Sequence, residues 1–164
     1  MVDNNDRLKQ AIFTAKQNAA QEDEAKLARD ASMNEERQRQ RDLAGKFQSL
    51  VAKLATDITV TNSQLESSDI PGIQLTRSQE PGASYVSLIM RNVIGQRAII
   101  GQLTLAGDSL RLTFQWDDRN SPTIGVPPRL YAIDNFESAA AIADMIEAYN
   151  HLRSKAMNGL PFRE

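Results

Sequence analysis

All six prolines and seven of the eight glycines lie after Ile70, leaving Gly45 alone before it. Both residue types interrupt helices, so the first part of the chain is free to stay helical while the rest must turn repeatedly. Composition follows the same break. Residues through Glu66 are rich in Ala, Gln, Glu, Lys and Arg, and from Pro71 onward β-branched, aromatic and turn-forming residues take over. Only Phe13 and Phe47 among the aromatics precede the break, which places the hydrophobic core largely in the second part.

A length of 164 residues suits one domain with an extension. The formal net charge is −2, with 10 basic and 11 acidic residues through Glu66 and 9 and 10 after it, so neither part has the basic excess of a non-specific phosphate binder. With no cysteine, disulfides and thiolate metal ligation are excluded. The start, Met1-Val2-Asp3-Asn4-Asn5-Asp6, lacks the basic and apolar regions of a leader, and no apolar run is long enough for a membrane span. The expectation is a soluble cytoplasmic protein without a membrane partner.

Two stretches of the first part carry a helical stripe, Leu8, Ile12, Ala15 and Ala19, then Leu43, Phe47, Leu50 and Leu54. The seam between them passes through Glu22, Lys26, Arg29, Met33, Glu36 and Gln40, too polar a run for a continuous packed coiled coil. Gln21 to Asp42 still contains good helix formers, with Glu22 and Lys26, and Glu35 and Arg39, at pairing distance. A helix from Asp6 to Asp57 would span about 75 Å at 1.5 Å per residue. A domain of about 100 residues has a radius of gyration of roughly 13 Å. The reading is therefore a charged helical arm over 1–41 and one α+β domain over 42–164, whose first helix carries Leu43, Phe47, Leu50 and Leu54.

The second part reads as an antiparallel sheet. Leu103 and Leu105 alternate into Gly107-Asp108, and Leu110, Leu112, Phe114 and Trp116 alternate out. A two-residue type II′ turn pairs Leu105 with Leu110, Leu103 with Leu112, Gly101 with Phe114 and Ile99 with Trp116, all on one face. Gly101 would leave room for the Phe114 ring to lie across the backbone. A preceding strand from Tyr85 to Arg91, turning through Asn92 to Gly95, would pair Leu88 with Ile99 and Val86 with Gly101, and would set Ile89 beside Ala98. Tyr85, Ile89 and Ile100 then lie on the outer face, which an antiparallel sheet ordinarily keeps polar, so partial cover is expected there. Ile73 to Arg77 and Arg129 to Ile133 are candidate flanking strands. Asp134 with Glu137 makes a capping-box pattern for a last helix. Its stripe is Ile142, Met145, Ile146, Tyr149 and Leu152, and Asn158-Gly159 with Pro161 supplies the stop.

No constellation of chemistry stands out. Asp117, Asp118 and Asn120 could ligate a hard cation, but neighbouring strand residues face opposite ways and these are ordinary turn formers, with Asp118 opposite Arg97 in the hairpin register. His151, the only histidine, lacks a nucleophile or orienting carboxylate. The glycines form neither a phosphate loop nor a dinucleotide fingerprint, so no cofactor is indicated. The fold expected is α+β, with an extended N-terminal helical region, an antiparallel meander of four to five strands and a C-terminal helix packed on the sheet. The leading functional expectation is a non-enzymatic protein-binding or assembly module, homo-oligomeric or partnered, acting through Leu8, Ile12 and Phe13 and the outer-face residues Tyr85, Ile89 and Ile100. One alternative is nucleic-acid contact through Arg37, Arg39 and Arg41, which the nearby acids and the lack of interleaved aromatics disfavour. The other is a small-ligand protein or enzyme with a pocket between sheet and last helix, lined by Trp116 and Tyr149.

Overall fold

The computed structural model describes residues 4–78, 83–94, 97–117 and 124–157, with 92–94 and 155–157 followed through their backbone only. The chain divides into two units, Met1–Asp42 and Leu43–Glu164. Helix α1 (Asn4–Ser67) supplies the described structure of the first and the opening element of the second. The fold is α+β, as the composition break implies.

In the first unit every described residue is solvent-exposed. Side-chain bonds at helical spacing run from Gln38 Nε2 to Asp42 Oδ1 and from Gln40 Nε2 to Glu36 Oε1, rather than between the expected Glu22–Lys26 and Glu35–Arg39 pairs. In the second unit α1 buries Phe47, Val51, Leu54, Ile58 and Leu65. Leu43 and Leu50, read from the sequence as part of the stripe, sit half-buried at its margin. At 3.6 residues per turn the four-three spacing brings Val51 and Ile58 onto the buried line instead.

The helix ends in two paired backbone bonds, Asp69 N to Glu66 O at 3.2 Å and Ile70 N to Leu65 O at 3.0 Å. Asp69 has a left-handed φ of 56°. This is a Schellman ending with Asp where glycine is usual, followed by Pro71, which cannot continue the helix.

Five strands form one antiparallel meander in chain order: β1 (Ile73–Arg77), β2 (Tyr85–Ile94), β3 (Arg97–Ala106), β4 (Ser109–Trp116) and β5 (Arg129–Ala132). The β3–β4 hairpin has the register that the alternation predicts, with Leu105 opposite Leu110, Leu103 opposite Leu112, Gly101 opposite Phe114 and Ile99 opposite Trp116. Gly107 has a φ of 64°, and Asp108 has no positive φ, the combination of a type II′ turn.

The space above Gly101 is used differently from the expectation. A Cβ there would lie 2.8 Å from Met145 Sδ, 3.2 Å from Leu112 Cδ1 and 3.7 Å from Leu88 Cβ, with the Phe114 ring not among these nearest groups. Gly101 thus admits a side chain of the last helix to the backbone of the central strand.

The β2–β3 pairing departs from the expected register by two residues. Leu88 faces Gly101, Val86 faces Leu103 and Ile89 faces Ile100, instead of Ile99, Gly101 and Ala98. β2 continues to Ile94, which pairs with Arg97, and an irregularity between Met90 and Ile94 takes up two extra residues. An insertion of two preserves the alternation, so Val86, Leu88 and Met90 remain on the buried face.

β1 lies at one edge of the sheet. The Asn62 side chain donates from Nδ2 to Ile73 O at 2.9 Å and accepts from Ile73 N at 2.8 Å, so α1 pairs with the edge strand as a neighbouring backbone would.

At the other edge, β5 ends at Ala132 and a 3-10 turn follows, Ile133–Asn135. The capping box at Asp134 does not form: α2 (Ser138–Met157) begins four residues later. Ile133 N bonds Asp108 O at 3.1 Å, the Asp134 carboxylate takes Lys46 Nζ at 2.8 Å, and buried Phe136 packs edge-on against Tyr131 at 5.4 Å. These anchors hold the chain extended at Phe136 before the helix can start. Of the expected stripe, α2 buries Ile142, Met145, Tyr149 and Leu152 and leaves Ile146 half-buried, with Ala141 and Ala148 as close-packing positions between them. Its expected stop at Asn158-Gly159 and Pro161 lies outside the described residues. One core joins the inner sheet face, α2 and the Phe47–Leu65 portion of α1.

Candidate functional site

Three places carry side chains outside the buried core. The first is the helix before Leu43. Leu8, Ile12, Phe13, Leu27 and Met33 are 59, 49, 61, 70 and 51% exposed. Leu8 and Ile12 are one turn apart and share a face, and Phe13 stands about 100° round the axis from Ile12. Sustaining such side chains in water forgoes about 1.5–3 kcal/mol each relative to full burial. Arg37, Arg39 and Arg41 are exposed on the same helix, among Glu35, Glu36 and Asp42, with Gln38 and Gln40 bonded to two of those acids. Alternate residues on a helix do not share a face, so the three arginines do not form a single strip.

Tyr85, Ile89 and Ile100 lie on the outer sheet face, where Ile89 and Ile100 are directly paired. All three are half-buried and none belongs to the core cluster. Leu130, on the same face of β5, is 72% exposed.

The third place lies between β5 and α2. Alternation on β5 puts Arg129 and Tyr131 on the inner face, opposite Leu112 and Leu110, and helical spacing lines up Asp144, Glu147, Ala148 and His151 on α2. The Tyr131 hydroxyl donates to Asp144 Oδ2, while Arg129 Nε lies 3.2 Å from Asp144 Oδ1 and Arg129 Nη2 lies 3.8 Å from Glu147 Oε2. Burial, then the Asp144 carboxylate, push the Tyr131 phenol well above its ordinary value of 10.0. It stays a neutral donor. Beside this group is a cavity of about 360 Å³, lined by Gly125, Val126, Pro127, Arg129, Asp144, Glu147, Ala148 and His151.

Trp116 and Tyr149, expected to line a pocket, are 5 and 3% exposed and are not among the groups lining this one. Each has a guanidinium over its ring instead: Arg97 lies 5.8 Å from the Trp116 ring centre and Arg153 6.0 Å from that of Tyr149. Asp117 is exposed and its backbone N bonds Ala98 O at 3.0 Å, whereas Asp118 and Asn120 lie outside the described residues. His151 lines the cavity together with Asp144 and Glu147, so the structure brings carboxylates into its neighbourhood that the sequence does not place there. The sequence alone does not group the side chains around Arg129. Its signals are the alternating Arg129 and Tyr131 and the Asp144, Glu147 spacing, but only the placement of β5 against α2 brings them together.

Among the described residues no group of three or more His, Cys, Asp or Glu is placed to hold a metal ion. No described helix is long and apolar enough to cross a membrane. No protein-family model matches this chain, and neither a curated protein nor a solved structure matches it at a significant level.

Proposed function

We propose that the protein is a non-enzymatic binding or assembly module that acts through the helix before Leu43. One observation carries this reading: from Asn4 to Asp42 no side chain is buried, although the segment holds Leu8, Ile12, Phe13, Leu27 and Met33. An isolated helix is marginal in water and draws its stability from packing an apolar face, so a long exposed helix with large apolar residues is suited to gaining a partner. Light scattering of the full chain against a Leu8→Glu, Ile12→Glu, Phe13→Glu variant tests it. Because all three side chains are exposed, the thermal transition of the sheet should be unchanged while self-association or retention of a partner is lost. An identical mass and partner profile in the two proteins would end the proposal.

The cavity beside Arg129 favours a second reading, a small-ligand site between β5 and α2. Its convergent Arg129, Asp144, Glu147 and His151 side chains are the kind of polar lining that orients a ligand. Screening a metabolite panel for a shift in melting temperature, with a Glu147→Gln control, tests this reading. The absence of any shift would count against it.

A further inference from the structure

The polar run along the seam of the exposed helix becomes intelligible when the direction of a partner helix is considered. Seam positions Leu8, Ile12, Ala15 and Ala19 are apolar, and Glu22, Lys26, Arg29 and Met33 follow in the same phase. A second copy laid parallel and in register would set Glu22 on Glu22, Lys26 on Lys26 and Arg29 on Arg29, three like-charge layers in succession. Reversing the second copy about a point between Ala20 and Gln21 exchanges every one of those layers. Leu8 then meets Met33, Ile12 meets Arg29, Ala15 meets Lys26 and Ala19 meets Glu22. Each long polar side chain faces a smaller apolar one, over which its stem can lie while its head reaches water.

Charge along the helix agrees with the same reversal. Residues 4–20 contain Arg7, Lys9 and Lys16 against Asp6, a net charge of +2. Residues 21–36 contain six acids, Glu22, Asp23, Glu24, Asp30, Glu35 and Glu36, against Lys26 and Arg29, a net charge of −4. Antiparallel overlap lays the basic block on the acidic block at both ends, with Lys16 near Glu24 and Arg7 near Glu35. Parallel overlap lays the acidic block on itself. All of these side chains are exposed and available.

We infer that residues 4–36 pair antiparallel with the same segment of a second copy of this chain. The inference rests on the proposed assembly role and adds to it the partner and its direction.

The absence of cysteine allows a direct test in the full-length protein. Leu8→Cys and Met33→Cys chains are prepared separately, then oxidised alone and as a mixture. Antiparallel pairing predicts a covalent dimer from the mixture and little from either variant alone. It also predicts that the mass of the unmodified protein falls in about 1 M salt, where the screening length is roughly 3 Å. A disulfide dimer of Leu8→Cys with itself would show parallel pairing and overturn the inference. Monomeric mass at every concentration, with no disulfide in the mixture, would overturn self-pairing as such. The broader assembly reading would then stand or fall separately, on whether the Leu8, Ile12, Phe13 variant loses a different protein partner.

Discussion

Asp69 ends α1 in a conformation that disfavours any side chain. At a φ of 56° its Cβ crowds the backbone, yet the two bonds that close the helix, from Asp69 N and Ile70 N, require that conformation. Glycine carries no such penalty at this position. Asp69→Gly should therefore stabilise the protein by about 0.5–1 kcal/mol, the remainder of a larger strain relief after the extra chain entropy of glycine. A denaturant midpoint moved upward with an unchanged slope would confirm it, and a downward shift would show that the Asp69 carboxylate contributes more than its backbone costs.

Tyr131 makes the opposite kind of residue-level claim, one about pH. Its folded-state phenol ionises above the ordinary value of 10.0, so in alkali the unfolded chain loses this proton first. The contribution of Tyr131 is complete below about pH 10 and shrinks as pH rises beyond it. Tyr131→Phe should lower stability near neutrality, through loss of the bond to Asp144, and should also flatten the decline between pH 10 and 11.5 by up to one proton. Equal alkaline slopes for the two proteins would contradict the burial and carboxylate effect.

The beginning of α2 distinguishes a cap from a residue that merely resembles one. Ser138 is 2% exposed and its Oγ has no hydrogen-bond partner, while the first tight bond of the region, Ala140 N to Glu137 O at 3.0 Å, uses backbone alone. A capping serine would cost about 1 kcal/mol on conversion to alanine. Here Ser138→Ala should leave stability unchanged or raise it by up to about 1 kcal/mol, because it removes a buried hydroxyl that pairs with nothing. Chemical denaturation decides between the two, and a loss of about 1 kcal/mol would restore the cap. The same contrast explains what could be read in advance. The β3–β4 hairpin was legible because strict alternation on both sides and Gly107 at a two-residue turn leave only one register with all apolar residues on one face. The β2–β3 register was not, since a shift of two leaves Val86, Leu88 and Met90 on the same face and the pattern is blind to even displacements. The capping box at Asp134 had the right spacing, but Phe136 packing on Tyr131 and Asp134 pairing with Lys46 override a local preference of this size. The exposed apolar residues of α1 could be seen in the sequence as lacking partners. The grouping of Arg129, Tyr131, Asp144 and Glu147 could not, because it depends on how a strand edge and a helix meet.

Helical structure and protection against opening part company along this molecule. α1 is continuous from Asn4 to Ser67, yet its described side chains are exposed through Asp42 and buried in turn from Phe47 onward. Before Leu43 an amide is held only by the helix's own bonds, and helices without packed faces open with a free energy near zero. Beyond Phe47 the same bond geometry cannot open without exposing Leu54, Ile58 and the inner sheet face, so exchange there should approach the global unfolding limit. Native-state hydrogen exchange in dilute protein should accordingly show a step between about Asp42 and Phe47, with no break in helical signal to mark it. Raising the protein concentration should lift protection over 4–36 and leave Phe47–Leu65 unchanged, since self-pairing adds an interface to the former and nothing to the latter. Protection that is uniform from Asn4 to Ser67 at a concentration where light scattering gives the monomer mass would mean that the first unit draws on packing within a single chain, and both the exposed helix and its pairing with a second copy would have to be abandoned together.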